Sequence, residues 1–440
     1  MTEQIAVPKT AVGEHGWRVT FAGMGINLAL GILYTWSVIS SGIPEAWGWS
    51  QADKSLPYSV CCLIFCLMMV PAGRLQDKFG PRVVAAIGGV LVGIGFILAS
   101  MTTTPLGFVI GFGIIAGAGI GFGYASATPP AVKWFPAAKT GLIAGIVVSG
   151  FGLASVYAAP LAKYLMVNYG IQKMMLILGI GFLVIITGAK TILTPLWFGL
   201  SQMLQTPDPE LQQLKYIKEH MEGKSVKTEK TEIHDKENFT PKQMLCTAQF
   251  YMLWFMYACG AGAGLMIISV VKKIVAAQVS SEALAVAAVV GLALGNGGGR
   301  IIAGMLSDKI GRKTTLFIFL VFQAVLIFLL TQAHGENILA SGPALIIITA
   351  LIGANYGSNL ALFPSITKDF YGLKNFGVNY GLVFTAWGIG GFLLAKYAGT
   401  IYDKYQTFNF AYYCASVLLI LAAIMVFFVR HPHQAIKENI

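Results

Sequence analysis

Twelve mostly apolar stretches, each roughly 19 residues or longer, run through this 440-residue chain, and a helix of that length crosses the ~30 Å hydrocarbon core of a bilayer. They lie near 17–42, 54–73, 83–101, 105–128, 140–165, 173–197, 247–271, 281–304, 315–333, 341–365, 376–400 and 408–430. No other feature constrains the fold as much. Lipid offers no water to the backbone, so every N–H and C=O must be bonded within the segment, which leaves helices. The composition agrees: charged residues are 11% of the chain, against about 25% in soluble domains. This excludes a soluble globular enzyme, a disordered tail and a fibrous protein. The expected fold is an all-α membrane protein of twelve transmembrane helices.

The longest polar segment, 199–246, carries 7 Lys and 8 acidic residues between the sixth and seventh stretches. It reads as a solvated linker, in which Glu210 to Lys218 can form a short amphipathic turn. The division is thus 1–198, an N-terminal six-helix bundle; 199–246, a cytoplasmic linker; and 247–440, a C-terminal six-helix bundle. With both ends placed in the cytoplasm, 22 of the 30 Lys and Arg fall on the cytoplasmic side and 7 outside. That bias is the positive-inside signature of a multi-pass protein of the plasma (inner) membrane, and it accounts for the net charge of +11 without nucleic acid. The polar opening, MTEQIAVPKTAVGEHG, lacks the apolar core of a signal peptide, so none is expected.

A repeat supports the same division. Gly73-Arg74-Leu75-Gln76-Asp77-Lys78-Phe79-Gly80 follows the second stretch, and Gly304-Met305-Leu306-Ser307-Asp308-Lys309-Ile310-Gly311 follows the eighth, at a constant offset of 231. Two pseudo-symmetric halves with matching loops are the mark of many secondary carriers. Gly73 and Gly304 allow close backbone approach at a helix end. Asp77 and Asp308 are acceptors for a neighbouring helix N-terminus or an arginine, with Arg74, Arg82 and Arg312 as expected partners. These seven residues are candidates for conformational gating.

One charge lies deep. Arg300 precedes Asp308 by eight residues, about 12 Å along a helix and close to mid-membrane. Arginine there is expensive, cannot shed its proton, and matches a carboxylate with its planar fork. It reads as an anion anchor, against the alternative of a structural arginine snorkelling to the surface. Asn296 sits one turn away on the same face, as a site residue or a packing amide. All 19 acidic residues fall in termini, loops or helix ends. Tyr124, Tyr356 and Tyr34 are polar aromatics in spans, structural or substrate-facing. Gly111, Gly113, Gly117, Gly119, Gly121 and Gly123 of the fourth stretch suit close helix packing, and Gly297, Gly298 and Gly299 allow flexing or close approach beside Arg300. Pro129-Pro130 and Pro364 are expected to end or kink their helices. The six cysteines show no metal spacing and read as reduced core thiols. No catalytic residue, metal site or cofactor is expected.

The doubled loop resembles the signature loop of the major facilitator superfamily, which implies two six-helix bundles around a central site with alternating access. Leu30-Gly31-Ile32-Leu33-Tyr34-Thr35-Trp36-Ser37, Lys133-Trp134-Phe135-Pro136, Phe250-Tyr251-Met252-Leu253-Trp254 with Gly264-Leu265-Met266, and Asn379-Tyr380-Gly381-Leu382-Val383-Phe384-Thr385-Ala386 resemble the oxalate:formate antiporter family, itself similar to the monocarboxylate transporters. The resemblance implies small organic anions as substrates and an arginine on the eighth helix that contacts them. The chain departs from these families twice. Monocarboxylate transporters have Asp where Asn296 stands, and oxalate exchangers have Lys where Trp387 stands. One deep cation suits one carboxylate, and Phe384 with Trp387, if they face the site rather than lipid, fill the room beside a small apolar tail. The expected function is transport of a monocarboxylate of the lactate/pyruvate class, by proton symport or anion exchange, with membrane lipids as surroundings and a monomer as the working unit. An oxalate:formate antiporter and a non-transporting organic-acid sensor are the rivals.

Overall fold

The computed structural model describes residues 9–135, 139–187, 204, 238–279, 281–335 and 337–432, and the regular structure among them is helical. Eleven helical stretches are long and apolar enough to cross a membrane. One of them, Thr140–Thr187, would be roughly 72 Å long at about 1.5 Å per residue, over twice a bilayer core. It breaks at Gly170 (φ 80°, ψ 163°), a conformation only glycine adopts freely, and so supplies two spans. The twelve expected crossings are therefore present.

In chain order, α1 (Lys9–Leu30) passes through a 3₁₀ turn (Gly31–Thr35) into Trp36–Ser41. Next come α2 (Gln51–Phe79) and α3 (Pro81–Ser100). The fourth span, α4, starts at Pro105–Phe108, widens into a π-helix over Val109–Ala116 and continues as Gly117–Lys133. The Gly170 break separates α5 (140–169) from α6 (171–187). A one-turn helix, Pro241–Leu245, precedes α7 (Ala248–Gln278) and α8 (Glu282–Ile310). The chain then forms α9 (Arg312–Leu330), α10 (Gly342–Tyr371), α11 (Phe376–Tyr405) and α12 (Asn409–Phe428).

The caps follow from sequence. Ser50 and Asp53 form a capping box at the start of α2, in which the Ser50 hydroxyl and N–H hold the exposed Asp53 carboxyl below its usual range. The last glycines of the doubled motif, Gly80 (φ 83°) and Gly311 (φ 90°), make the matching sharp turns into α3 and α9.

Of the expected ending or kinking at prolines, the ending does not occur: α4 runs past Pro129-Pro130 to Lys133, and α10 runs past Pro364 to Tyr371. Around Pro364, side-chain hydroxyls supplement the backbone: Ser365 donates to the Ala361 carbonyl and Thr367 to that of Phe363. The first helix begins eight residues earlier than its apolar stretch. Residues 188–197 of the sixth stretch and the Glu210 to Lys218 turn lie outside the described residues.

The glycines of α4 act as expected. Gly111 and Gly119 meet α3, while Gly113, Gly117 and Gly121 meet α2. Ile94, Leu98, Ile110, Phe322, Phe328 and Phe427 stay exposed on the outer helix faces, as lipid-facing side chains do. The halves meet chiefly along two seams, α2 against α11 and α5 against α8.

Candidate functional site

Both seams are locked at the end that carries the doubled motif. Asp77 at the end of α2 accepts from the N–H groups of Gly377 (3.2 Å) and Val378 (3.1 Å), the first turn of α11. Asp308 at the end of α8 accepts from Gly141 (3.0 Å) and Leu142 (2.9 Å), the first turn of α5. In each case a carboxylate satisfies orphan donors and meets the positive end of a helix dipole. The glycines four residues earlier bring the chains together: a Cβ on Gly73 would lie 2.2 Å from the Gly377 carbonyl oxygen, and one on Gly304 2.2 Å from that of Gly141. These are the roles that the motif predicts for Gly73, Gly304, Asp77 and Asp308.

The arginines sort differently. Arg312 pairs with Asp308 and, through Nε, with Asp369 of α10 (3.0 Å). Asp77 has instead Lys133 of α4 and the exposed Arg74 as its nearest cations, and Arg82 is exposed and joins no ion pair among the described residues. Arg82 is therefore not the expected partner: Pro81, not Arg82, stands where Arg312 stands in the second copy, and Arg82 lies one residue further into α3.

A third fastening comes from the last residues of the linker. Asn238 Oδ1 accepts from the N–H groups of Leu373 and Lys374, and the Phe239 carbonyl accepts from the side-chain amides of Asn375 and Asn379. The end of the linker is thus stitched to the α10–α11 turn beside the peptides that Asp77 holds. Asn238 stays exposed while Phe239 is buried, so this part of the linker is anchored to the turn as well as solvated.

Arg300 is completely buried between the halves. Its Nε donates to Asn296 Oδ1 (3.0 Å) and its Nη1 to the Val148 carbonyl of α5, while Nη2 has no partner among the described residues. Gly297 and Gly299 let α5 and α10 approach on either side: their Cβ positions would strike Leu153 and the Ala354 carbonyl. No carboxylate bonds to Arg300 among the described residues. Its neighbours are neutral, namely Asn296, the Val148 carbonyl and the Tyr34 hydroxyl, Nη2 completes no hydrogen bond, and no counter-charge is present among the described residues.

Aromatic side chains from both halves surround it. The Trp387 indole N–H donates to the Tyr356 hydroxyl (2.8 Å), which shares a 2.5 Å hydrogen bond with the Tyr34 hydroxyl. Tyr34 stands on the 3₁₀ turn of α1, so this pair bridges the halves. Phe384 and Trp387 are buried and stacked on each other (5.2 Å), and both touch Phe65 of α2 at 5.1 Å. Tyr124 packs on Phe384 (5.3 Å) and Phe151 (5.5 Å). All six expected central residues therefore come together, and neither Phe384 nor Trp387 faces lipid. Sequence reasoning missed Phe65, Phe151, Tyr257 and Tyr380, whose only signal was an aromatic in a span at the depth of Arg300. It also missed the Val148 carbonyl, which no side chain announces.

A cavity of about 40 Å³, room for two or three waters, lies on the other side of Tyr34. Tyr34, Ser155, Ile268, Val289, Leu292 and Asn296 line it. Val289 is 19 residues before Asp308 and Ile268 is 20 residues into α7, which sets the cavity in the half of the molecule away from the loop motif. The two carboxylate locks thus lie at the motif end and the cavity in the other half.

Known proteins share this architecture. The model of a family described as Major Facilitator Superfamily matches residues 19–271 and 253–439. An oxalate:formate antiporter of Oxalobacter formigenes is 26% identical over 379 residues, covering 85% of this chain and 82% of its own. Monocarboxylate transporter 11 of Homo sapiens is 27% identical over 180 residues, 41% of this chain and 38% of its own. The solved proton:xylose symporter XylE superposes with a TM-score of 0.69 at 15% identity, covering 95% of this chain and 96% of that one, a likeness of fold alone.

Proposed function

This chain belongs to the major facilitator superfamily and is a multi-pass membrane transporter, and from that premise we propose that it moves a small monocarboxylate of the lactate/pyruvate class by alternating access, as proton symport or anion exchange. One observation carries the reading: a fully buried guanidinium between the halves with a free Nη2 and no acidic partner among the described residues. An anion is the ligand that such a group lacks. The similarity to an oxalate:formate antiporter and to a monocarboxylate transporter supports the same chemical class.

Substrate-binding roles go to Arg300, Asn296, Tyr124, Tyr356, Phe384 and Trp387. Arg300 takes the carboxylate, and Phe384 and Trp387 bound the apolar tail. Trp387 occupies the place where oxalate exchangers carry a second cation, which favours one carboxylate over two. The small vestibule beside Tyr34 suits a small anion. Gating roles go to Gly73, Arg74, Asp77, Gly304, Asp308 and Arg312, in two bundles, 1–198 and 247–440, joined by 199–246. The 22-to-7 charge bias supports a plasma-membrane carrier with cytoplasmic termini; the closed motif end is then the cytoplasmic one, and substrate enters from outside past Tyr34.

Counterflow into proteoliposomes loaded with lactate, pyruvate, formate or oxalate, with and without a pH gradient, tests the proposal. The expected order places lactate, pyruvate and formate above oxalate. Preference for oxalate supports the antiporter instead, and binding without flux supports a sensor.

A further inference from the structure

Asn375 stands immediately before α11, the place from which a side-chain oxygen ordinarily accepts from the second or third N–H group of a helix. Those donors belong to Gly377 and Val378, and Asp77 of the other half takes both, at 3.2 and 3.1 Å. Asparagine is among the residues best suited to capping, yet Asn375 bonds no N–H of its own helix. Its backbone (φ −112°, ψ 26°) is also off the extended conformation of a capping residue. The turn shows what holds it there. Asn375 Nδ2 donates to the Phe239 carbonyl (3.1 Å), which Asn379 Nδ2 also reaches (3.0 Å). Phe239 is fixed in turn: its N–H donates to the Tyr371 carbonyl (3.1 Å), and its ring meets that of Tyr371 at 5.4 Å.

The end of the linker thus keeps Asn375 away from the donors that it could cap and leaves them to Asp77. The second seam has no such rival. Asp308 accepts from Gly141 and Leu142, the matching peptides of α5, but the residue before that helix is Lys139, which carries no side-chain acceptor. Opening at the motif end takes Asp77 off α11 and orphans two buried N–H groups, a cost that a capping side chain removes.

We propose that Asn375 is a positioning residue of the motif-end gate that trades places with Asp77. While the gate is shut it is parked on Phe239; when the gate opens it leaves Phe239 and caps the freed start of α11. The proposal rests on the reading that the motif end opens during transport.

The test uses the full chain with Gln76→Cys. Gln76 is buried against Gly377, so a thiol there meets a maleimide only while the seam between α2 and α11 is open. Peptide mass separates it from the six native cysteines. Asn375→Ser and Asn375→Ala are compared in this background. Both lose the bond to Phe239, but only serine caps a helix. The labelling rate is expected to be at least about threefold higher for serine than for alanine. If either variant does not fold, Asn375→Thr and Asn375→Val form a second pair with the same contrast. Equal labelling within a folded pair overturns the exchange and leaves the Arg300 anchor standing, since no substrate enters the measurement. No labelling of the introduced thiol in any variant, with Asn375 intact or replaced, shows that the seam stays shut, which overturns the alternating-access reading and the exchange with it.

Discussion

The Nη1 of Arg300 donates to the main-chain carbonyl of Val148, so a hydrogen bond from α8 crosses to the other half inside the site itself. This bond and the Asn296 amide hold two arms of a charge that has no counter-ion among the described residues. A carboxylate at Nη2 supplies the missing charge without first breaking either contact. Closure around a loaded site is thereby favoured over closure around an empty one, which is what coupled transport requires.

The glycine crossings give the sharpest steric prediction. Gly73→Ala and Gly304→Ala each drive a methyl into a carbonyl oxygen 2.2 Å away. Overpacking of this kind costs about 1–3 kcal/mol, which disfavours the state closed at the motif end by roughly five- to 150-fold. Gly298→Ala, beside Arg300 but with open space at its Cβ, is the control and retains normal exchange. Counterflow rates of the three variants check this, and equal rates in all of them contradict it.

Trp387→Lys restores the cation that oxalate exchangers carry at this position. Trp387 is buried and bonds to the Tyr356 hydroxyl, so the new ammonium sits beside the anion site. Oxalate should then compete at least about tenfold better against labelled monocarboxylate, since a paired buried charge is worth about 2 kcal/mol or more. Lactate transport by this variant declines. Unaltered oxalate competition places Trp387 outside the binding surface.

Asn238→Ala tests the stitch between the linker and the α10–α11 turn. It removes the acceptor of the Leu373 and Lys374 N–H groups. Loss of two exposed hydrogen bonds at about 0.5–1.5 kcal/mol each should speed hydrogen exchange at those two amides by at least about twofold. Protection equal to that of the wild type shows that the turn holds itself.

Much of this arrangement was legible in the sequence, for physical reasons. Span length follows from bilayer thickness, so the twelve crossings and the Gly170 break were implicit in apolar runs and their interruption. The doubled motif gave Asp77 and Asp308 equivalent places, and the structure gives them equivalent work on α11 and α5. Arg300 announced itself by the cost of its position. Contacts made by backbone atoms were not legible: the Val148 carbonyl carries no side-chain signal, and neither does the Phe239 carbonyl that holds Asn375 and Asn379. Pro364 sits inside α10 rather than at its end, since a proline removes only one N–H from a helix that continues to Tyr371. The split roles of Arg82 and Arg312 were readable from the offset of 231: Arg312 corresponds to Pro81 and Arg82 to Lys313, so the first copy has no arginine where the second has Arg312.

The central claim is that Arg300 holds the permeant anion, and labelled-lactate counterflow by purified Arg300→Lys and Arg300→Ala in proteoliposomes tests it most directly. Lysine keeps the charge but offers one nitrogen in place of the planar fork whose separate nitrogens face Asn296, the Val148 carbonyl and the anion. The account predicts a loss of at least about 30-fold for lysine and no measurable exchange for alanine, in line with about 2–5 kcal/mol for breaking a buried charge pair. Near-normal exchange by either folded variant would contradict it.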